Sequence, residues 1–256
     1  MYYKSLFFSI MTAALCTGEN RAALVKGEAL FYDISVFGIK VGRQETVILD
    51  SSEIKGRRAW HIHSRTYSLG IISHIYILDD VFETWLDMEN YRPLLAKRRI
   101  QEGSWRDEVR LEFDWENMEY MIFDKRNLHG KKARLRENAV ELLSVIYAIR
   151  SVEFSKTAEF NFSFVNQNPG ENYDIAFLAS PGRNFSFVYQ RPGGADKKKM
   201  STVLCVQKNR NEKLGLEIYC APELYNIPLR VEIALFKIGG WGTINVKGTL
   251  DKYLRP

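Results

Sequence analysis

Residues 139–151, AVELLSVIYAIRS, form the one convincing amphipathic helix in a chain that otherwise alternates like β-sheet. Ala139, Leu142, Leu143, Ile146 and Ile149 recur at three- and four-residue steps, which places them on one stripe of a 3.6-residue helix. Asn138 is positioned to cap the first turn, and Glu141 follows three residues later as in a capping box. The spacing predicts a helix over 139–151 whose apolar stripe is covered by a sheet, and the fold then turns on the strands around it.

Those strands are read from period-two alternation. Residues 27–49, GEALFYDISVFGIKVGRQETVIL, give two strands broken at Phe37 and Gly38. Residues 51–58 read as a turn. Residues 59–69 resume the alternation, with Trp60 and Ile62 on one face and His61 and His63 on the other. Residues 71–86 continue as one or two strands with a bend at Asp79 and Asp80. Strands at 94–102, 107–113 and 118–123 complete an antiparallel meander, followed by a basic loop over 124–137. Beyond the helix, strands are expected at 159–165, 173–178 and 186–190, in a hairpin around Cys205, and at 229–237 and 241–250. Loops are expected at 166–171, 181–184 and 191–199. The fold class is therefore all-β and mainly antiparallel: a large curved sheet or incomplete barrel with one central amphipathic helix on its concave side.

Composition supports a folded domain. Among 256 residues, 46% are hydrophobic, 26% charged and 13% aromatic, which is ample material for a core and lacks the signature of disorder. No fixed-period repeat or low-complexity linker divides the chain, so 23–256 is read as a single β-rich exported domain. Residues 1–22 read as a signal peptide. Lys4 precedes the apolar run 5–16, SLFFSIMTAALC, which is too short to span a bilayer comfortably, and the mature chain is expected to begin near residues 17–23. The alternatives are a lipid-modified Cys16, disfavoured by the bulk of Leu15 before it, and a retained anchor. The expected location is periplasmic or secreted. The formal charge of +5 falls to about +4 once Lys4, Arg21 and Glu19 are removed, a mild bias that fits an anionic envelope surface.

In that oxidising setting Cys205 and Cys220 matter. They lie in MSTVLCVQK and LEIYC, and a hairpin centred near Asn211 and Glu212 would set them opposite one another. A disulfide and a pair of small buried hydrophobes both fit.

The order of these pieces resembles a family of exported bacterial proteins catalogued as domain of unknown function 3108. Gly27, Glu28, Leu30, Tyr32, Gly38, Ile39 and Gly42 are similar to its GE-x-L-x-Y and G-I-x-x-G opening. Asp80, Glu83, Thr84, Asp87 and Pro93 resemble its D-x-x-E-T-x-x-D…P segment, and Phe113 and Asp114 its F-D step. Leu143, Ser144, Tyr147 and Arg150 resemble its L-S-x-x-Y-x-x-R helix, and Ile227, Pro228, Leu229 and Arg230 its I-P-V-R strand. Tyr219 to Pro222 departs from the W-x-S-x-D-like stretch found there more often. The resemblance implies an exported all-β domain and brings no settled activity, cofactor or catalytic residue.

Candidate chemistry is sparse. His61 and His63 share a strand face, where with His74 or an acid they could begin a metal site, but a solvated polar face fits equally and no metal is assigned. Asp79, Asp80, Glu83 and Asp87 could bind calcium or act as paired carboxylates. Ser144 lacks a G-x-S-x-G context, so no catalytic triad and no cofactor motif can be assembled. Arg150 is expected to cap its helix or to pair with a carboxylate from the sheet. The basic residues Lys125, Arg126, Lys131, Lys132, Arg134 and Arg136 are candidate contacts to an anionic surface. Without interleaved aromatics they do not suggest nucleic acid.

The leading expectation is a non-enzymatic envelope protein that binds a lipid-like, apolar or amphiphilic ligand between sheet and helix, through Leu143, Ile146, Tyr147 and Arg150. One alternative is an envelope assembly protein that meets a protein or anionic polymer partner without a small ligand. A less favoured alternative is a hydrolase using residues 79–87. A cavity under the helix would favour the first, and a filled core with an exposed apolar patch the second.

Overall fold

The computed structural model describes residues 24–125, 127–156, 158–165, 172–208, 214–235 and 244–256. The segment 1–22 read as a signal peptide, Cys16, Arg126, the expected loop at 166–171, the expected hairpin centre at Asn211 and Glu212, and Trp241 lie outside the described residues. The strands form one 17-stranded sheet. Strand β1 (Ala29–Val36) is its seam. On one side follow β2 (Ile39–Ile54), β3 (Arg57–Ser68), β4 (Asp79–Asp87), β5 (Pro93–Glu102), β6 (Trp105–Asp114), β7 (Glu119–Asp124) and β8 (Asn127–Arg134), each antiparallel to the one before. On the other side β17 (Ile244–Leu254) pairs with β1. It leads through β16 (Ile227–Leu235), β15 (Leu214–Ala221), β14 (Val203–Gln207), β11 (Tyr173–Pro181) and β10 (Glu159–Phe164) to β9 (Ala139–Val140). The hairpin of β12 (Phe185–Arg191) and β13 (Gly194–Met200) attaches to β17. Among the described residues only the β9–β10 and β12–β17 pairs are parallel.

Alternation explains which face is core. Ile62, Thr84, Ala96, Leu111 and Ile122 stand directly opposite one another across β3 to β7, and all are buried. The next row along, His63, Glu83, Lys97, Arg110 and Phe123, points the other way. Register shifts at Phe31/Tyr32, Ile34/Ser35 and Ile48/Ser51 bend the long strands so that the apolar face curls inward. At Gly42 the strands approach so closely that a Cβ would sit 2.7 Å from the Tyr67 carbonyl oxygen, which only glycine avoids. The two ends of the curl meet through side chains. Tyr120 Oη donates to Asn172 Oδ1 at 2.7 Å, Asn172 Nδ2 donates to the Arg134 carbonyl at 3.2 Å, and Arg136 pairs with Asp174. No backbone ladder joins these ends among the described residues, so the sheet is barrel-like and remains open.

Two short helices accompany the sheet, α1 (Ile72–Ile75) and α2 (Ser144–Arg150). Helix α2 fills the concave side. Leu143 and Tyr147 pack with Leu24, Ile48, Ile62 and Leu86 from the β2–β4 half, while Val145 and Ile149 pack with Ile175, Phe177 and Ile218 from the other half. The helix therefore binds the two halves of the curl to one another.

Several expectations are corrected. The helix does not start at Ala139, because Ala139 and Val140 pair with Ser163 and Phe164 as strand β9 and the helix begins only at Ser144. Asn138 accordingly does not cap it; its side-chain amide donates to the Asn161 carbonyl. The basic loop over 124–137 is largely strand β8, and 191–199 is largely strand β13. Each pairs on one side only along its own hairpin partner, and their lysines suit exposed edges that resist further pairing. Asp79 and Asp80 open β4 instead of marking a bend, and the turn lies earlier, around α1. Cys205 and Cys220 are free buried thiols. The register pairs Cys205 with Ile218 and Val203 with Cys220, so the cysteines are diagonal neighbours and not opposite one another.

Candidate binding groove on the outer face of the sheet

Helix α2 is held by a buried charge at each end. At its start Glu141 accepts the backbone N–H groups of Leu143 (3.1 Å) and Ser144 (2.7 Å), and its own N–H donates to Ser144 Oγ at 2.7 Å. This reciprocal capping uses Glu141 and Ser144 where the sequence suggested Asn138 and Glu141. Arg98 of β5 approaches the same carboxylate, with Nη2 3.6 Å from Oε2. Burial pulls the Arg98 guanidinium below its ordinary range, and Glu141 works against that pull.

At the other end Arg150 Nη1 donates to Glu28 Oε1 at 2.6 Å and Nη2 to Oε2 at 3.3 Å, with both side chains 1% exposed. Tyr253 Oη donates to Glu28 Oε2 at 3.2 Å, and the Tyr147 ring lies 5.4 Å from the guanidinium carbon. Burial opposes the Arg150 charge, but Glu28 outweighs it and holds the guanidinium above its usual value. Burial also raises the Tyr147 and Tyr32 hydroxyls, and Tyr32 donates to the Pro228 carbonyl at 2.8 Å. Glu28, Tyr32, Tyr147, Arg150 and Pro228, scattered along the sequence, thus meet in one closed polar centre.

Of the four candidate ligand contacts, Leu143, Tyr147 and Arg150 are buried, and Ile146 is half-buried against the packed core. Neither of two cavities described on the surface is lined by any of them. The more apolar of these cavities, about 610 Å³, lies on the outer face of β3 to β8. Val81, Phe123 and Leu128 supply apolar surface, and the cations Lys97, Arg98, Arg99, Arg110 and Lys125 outnumber the carboxylates Glu83, Glu108 and Asp124 on the same lining. Lys97 Nζ sits 5.1 Å over the Trp85 ring, whose other neighbour is the His61 ring stacked at 4.2 Å; Arg110 lies 4.3 Å over Phe123. Gly130, at φ +78°, lets Phe123 pack down: a Cβ there would meet the Phe123 ring and the Met121 methyl at 2.7 Å.

The candidate anionic contacts separate. Lys125 lines this groove, Lys132 pairs with Glu119, Arg136 pairs with Asp174, and Lys131 and Arg134 are exposed on β8. The acidic residues do not converge. Arg65 holds Asp79 bidentately at 2.7 and 3.1 Å, His61 Nε2 lies 2.9 Å from Glu83, and Arg57 pairs with Asp87 at 2.6 Å. Among the described residues no group of three His, Cys, Asp or Glu side chains is placed to hold a metal ion.

Asp80 is buried and accepts the Gln101 N–H at 2.9 Å, and burial is the main cause that raises its pKa to about 6. A raised carboxyl contributes stability that is complete below about pH 3.8 and is lost as pH rises through about 6. Asp80→Asn keeps an acceptor for Gln101 and removes the buried charge. It is expected to raise stability at pH 7 by about 1 kcal/mol, discounted for partial solvation, and to leave pH 4 stability unchanged. Urea denaturation at the two pH values measures this.

Lys97, Arg99, Arg110 and Phe123 were not singled out from sequence. The signal available was the alternation in LLAKRRIQE, which puts Lys97 and Arg99 on one face, but only the register brings Arg110 and Phe123 beside them.

Fold and site together define an open, barrel-like β-domain with a plugged interior and a groove on its outer surface. The chain belongs to the family described as "Protein of unknown function (DUF3108)", which matches residues 32–240. A similar solved structure is the beta-barrel-like protein of domain of unknown function DUF1849 from Brucella abortus. The two share 10% identity and a TM-score of 0.54, over 90% of this chain and 98% of that one. Weaker likenesses are a candidate lipoprotein from Parabacteroides distasonis (9% identity, TM-score 0.32, 90% and 95% covered) and a candidate exported protein with a YmcC-like fold from Bacteroides fragilis (8%, 0.29, 90% and 97%). No curated protein matches the chain.

Proposed function

We propose that this protein is an exported, non-catalytic binding protein of the bacterial envelope that takes an anionic amphiphile in its outer-face groove. The observation that carries this reading is the juxtaposition of Lys97, Arg99 and Arg110 with the apolar surface of Val81, Phe123 and Leu128 around one cavity. Cations beside an apolar floor match a ligand with a charged head and a hydrocarbon part. Export is supported by the Lys4 and 5–16 pattern at the N-terminus. The groove replaces the expected site beneath α2, where close packing of Leu143 and Tyr147 favours a structural role.

The test is native mass spectrometry of the protein with lysophosphatidylglycerol below its micelle concentration, beside lysophosphatidylcholine. Stoichiometric binding of the anionic lipid is expected. Lys97→Glu combined with Arg110→Glu is expected to weaken it about tenfold or more, from the loss of charge-assisted hydrogen bonds. Equal binding by wild type and variant, or no binding, would overturn the assignment.

A further inference from the structure

The exposed large apolar side chains of the β1–β8 half are not spread evenly. Phe37 and Ile39 stand at the β1–β2 turn, Ile71, Ile75 and Tyr76 at the β3–β4 connection that contains α1, and Trp105 at the β5–β6 turn. Ile71 is 80% exposed, Ile75 77% and Phe37 76%, values at which a side chain has almost no protein around it. These turns lie at one end of their strands and are joined to each other. The Leu69 N–H donates to the Val41 carbonyl, the Gly103 N–H donates to the Ile77 carbonyl, and Leu78 bridges to Glu102. The turns at the opposite end, at 55–56, 88–92 and 115–118, carry no exposed large apolar residue. Such asymmetry is not what scattered surface hydrophobes produce.

We infer that these hairpin tips are a docking edge for a lipid bilayer, into whose headgroup layer Phe37, Ile71, Ile75 and Trp105 insert. Two features favour a bilayer over a protein. The apolar side chains project singly from separate turns, where a protein partner would need a broad complementary face. Trp105 and Tyr76 are the residue types that settle at membrane interfaces. The charges behind the tips are mixed: Lys40, Arg99, Arg106 and Lys125 stand among Asp79, Asp80, Glu102, Asp107, Glu108 and Asp124, so the apolar side chains carry the docking. The inserting side chains Phe37, Ile71, Ile75 and Trp105 do not line the groove, although Arg99 and Lys125 on the same side do, so the two sites are separated by their apolar residues.

The experiment is flotation of the protein with vesicles of 70% phosphatidylethanolamine and 30% phosphatidylglycerol, and with pure phosphatidylcholine vesicles. Binding to both vesicle compositions is expected, little changed at high salt, since apolar insertion carries it. The variant Phe37→Ser, Ile71→Ser, Ile75→Ser replaces only exposed side chains and is expected to lose about tenfold or more in vesicle affinity, as surface insertion scales with apolar area. The control Leu142→Ser, Leu178→Ser, exposed elsewhere, is expected to bind as wild type and also accounts for any contribution of the apolar run 5–16. Binding unaffected by the tip variant would overturn the inference. So would self-association that the tip variant abolishes without vesicle binding, which would make this edge an interface between copies.

Discussion

Arg150→Met is expected to destabilise the protein by about 3–5 kcal/mol, the usual cost of leaving one member of a buried ion pair without its partner. Glu28 is 1% exposed, and its carboxylate keeps only the 3.2 Å contact from Tyr253 once the two guanidinium bonds are gone. The methionine would replace the stem but not the charge. Removing both charges separates this cost from packing: Glu28→Gln with Arg150→Met is expected to recover much of the loss, because a neutral pair needs no enclosed counter-charge. Guanidinium denaturation of wild type, both single variants and the double variant completes the cycle. A loss below about 1 kcal/mol for Arg150→Met would mean that the α2 end is not anchored as described.

The second large effect is expected at the other end of the helix. Glu141→Ala removes two N-terminal backbone acceptors, typically about 1 kcal/mol for a cap, and leaves Arg98 buried with its nearest carboxylate gone. Together these are expected to cost about 3 kcal/mol or more. Glu141→Gln retains an oxygen for one N–H and is expected to cost about half as much. The ordering of the two variants, read by the same denaturation, distinguishes capping from simple charge removal. Ser144→Ala, which removes only the hydroxyl that accepts from Glu141 N–H, should fall below both, at about 1 kcal/mol.

The sheet was largely legible because half-buried strands announce themselves by alternation, as in Ile62 against His61 and His63. Strands β8 and β13 escaped because NLHGKKAR and GADKKKM have no apolar face, being edges with little to bury. The helix was placed correctly but drawn too long. Ala139 and Val140 fit the helical stripe and the parallel strand equally, and tertiary pairing with β10 decided between them. The cysteine geometry depended on a turn at 209–213, and a displacement of two residues in register turned an opposite pair into a diagonal one.

The site was less legible than the fold. Arg150 was expected either to cap its helix or to meet a carboxylate from the sheet, but nothing local pointed to Glu28, 122 positions away. Glu28, Tyr32, Tyr147, Arg150 and Pro228 explain one another as a closed centre: Arg150 ties the end of α2 to Glu28 beside β1, and Tyr32 ties β1 to β16. The groove residues carry no such pattern, because a lysine on an outward-facing strand position looks the same whether it is solvated or lines a cavity.

The central claim is that α2 is a structural plug and that ligand binds on the outer face. Hydrogen exchange of the backbone amides, with and without lysophosphatidylglycerol, tests it most directly. The account predicts slowed exchange in peptides covering 97–110 and 121–128 and no change over 143–150, where the helix is already enclosed. Slowed exchange centred on 143–150, with the outer strands unchanged, would return the ligand to the space beneath the helix and contradict it.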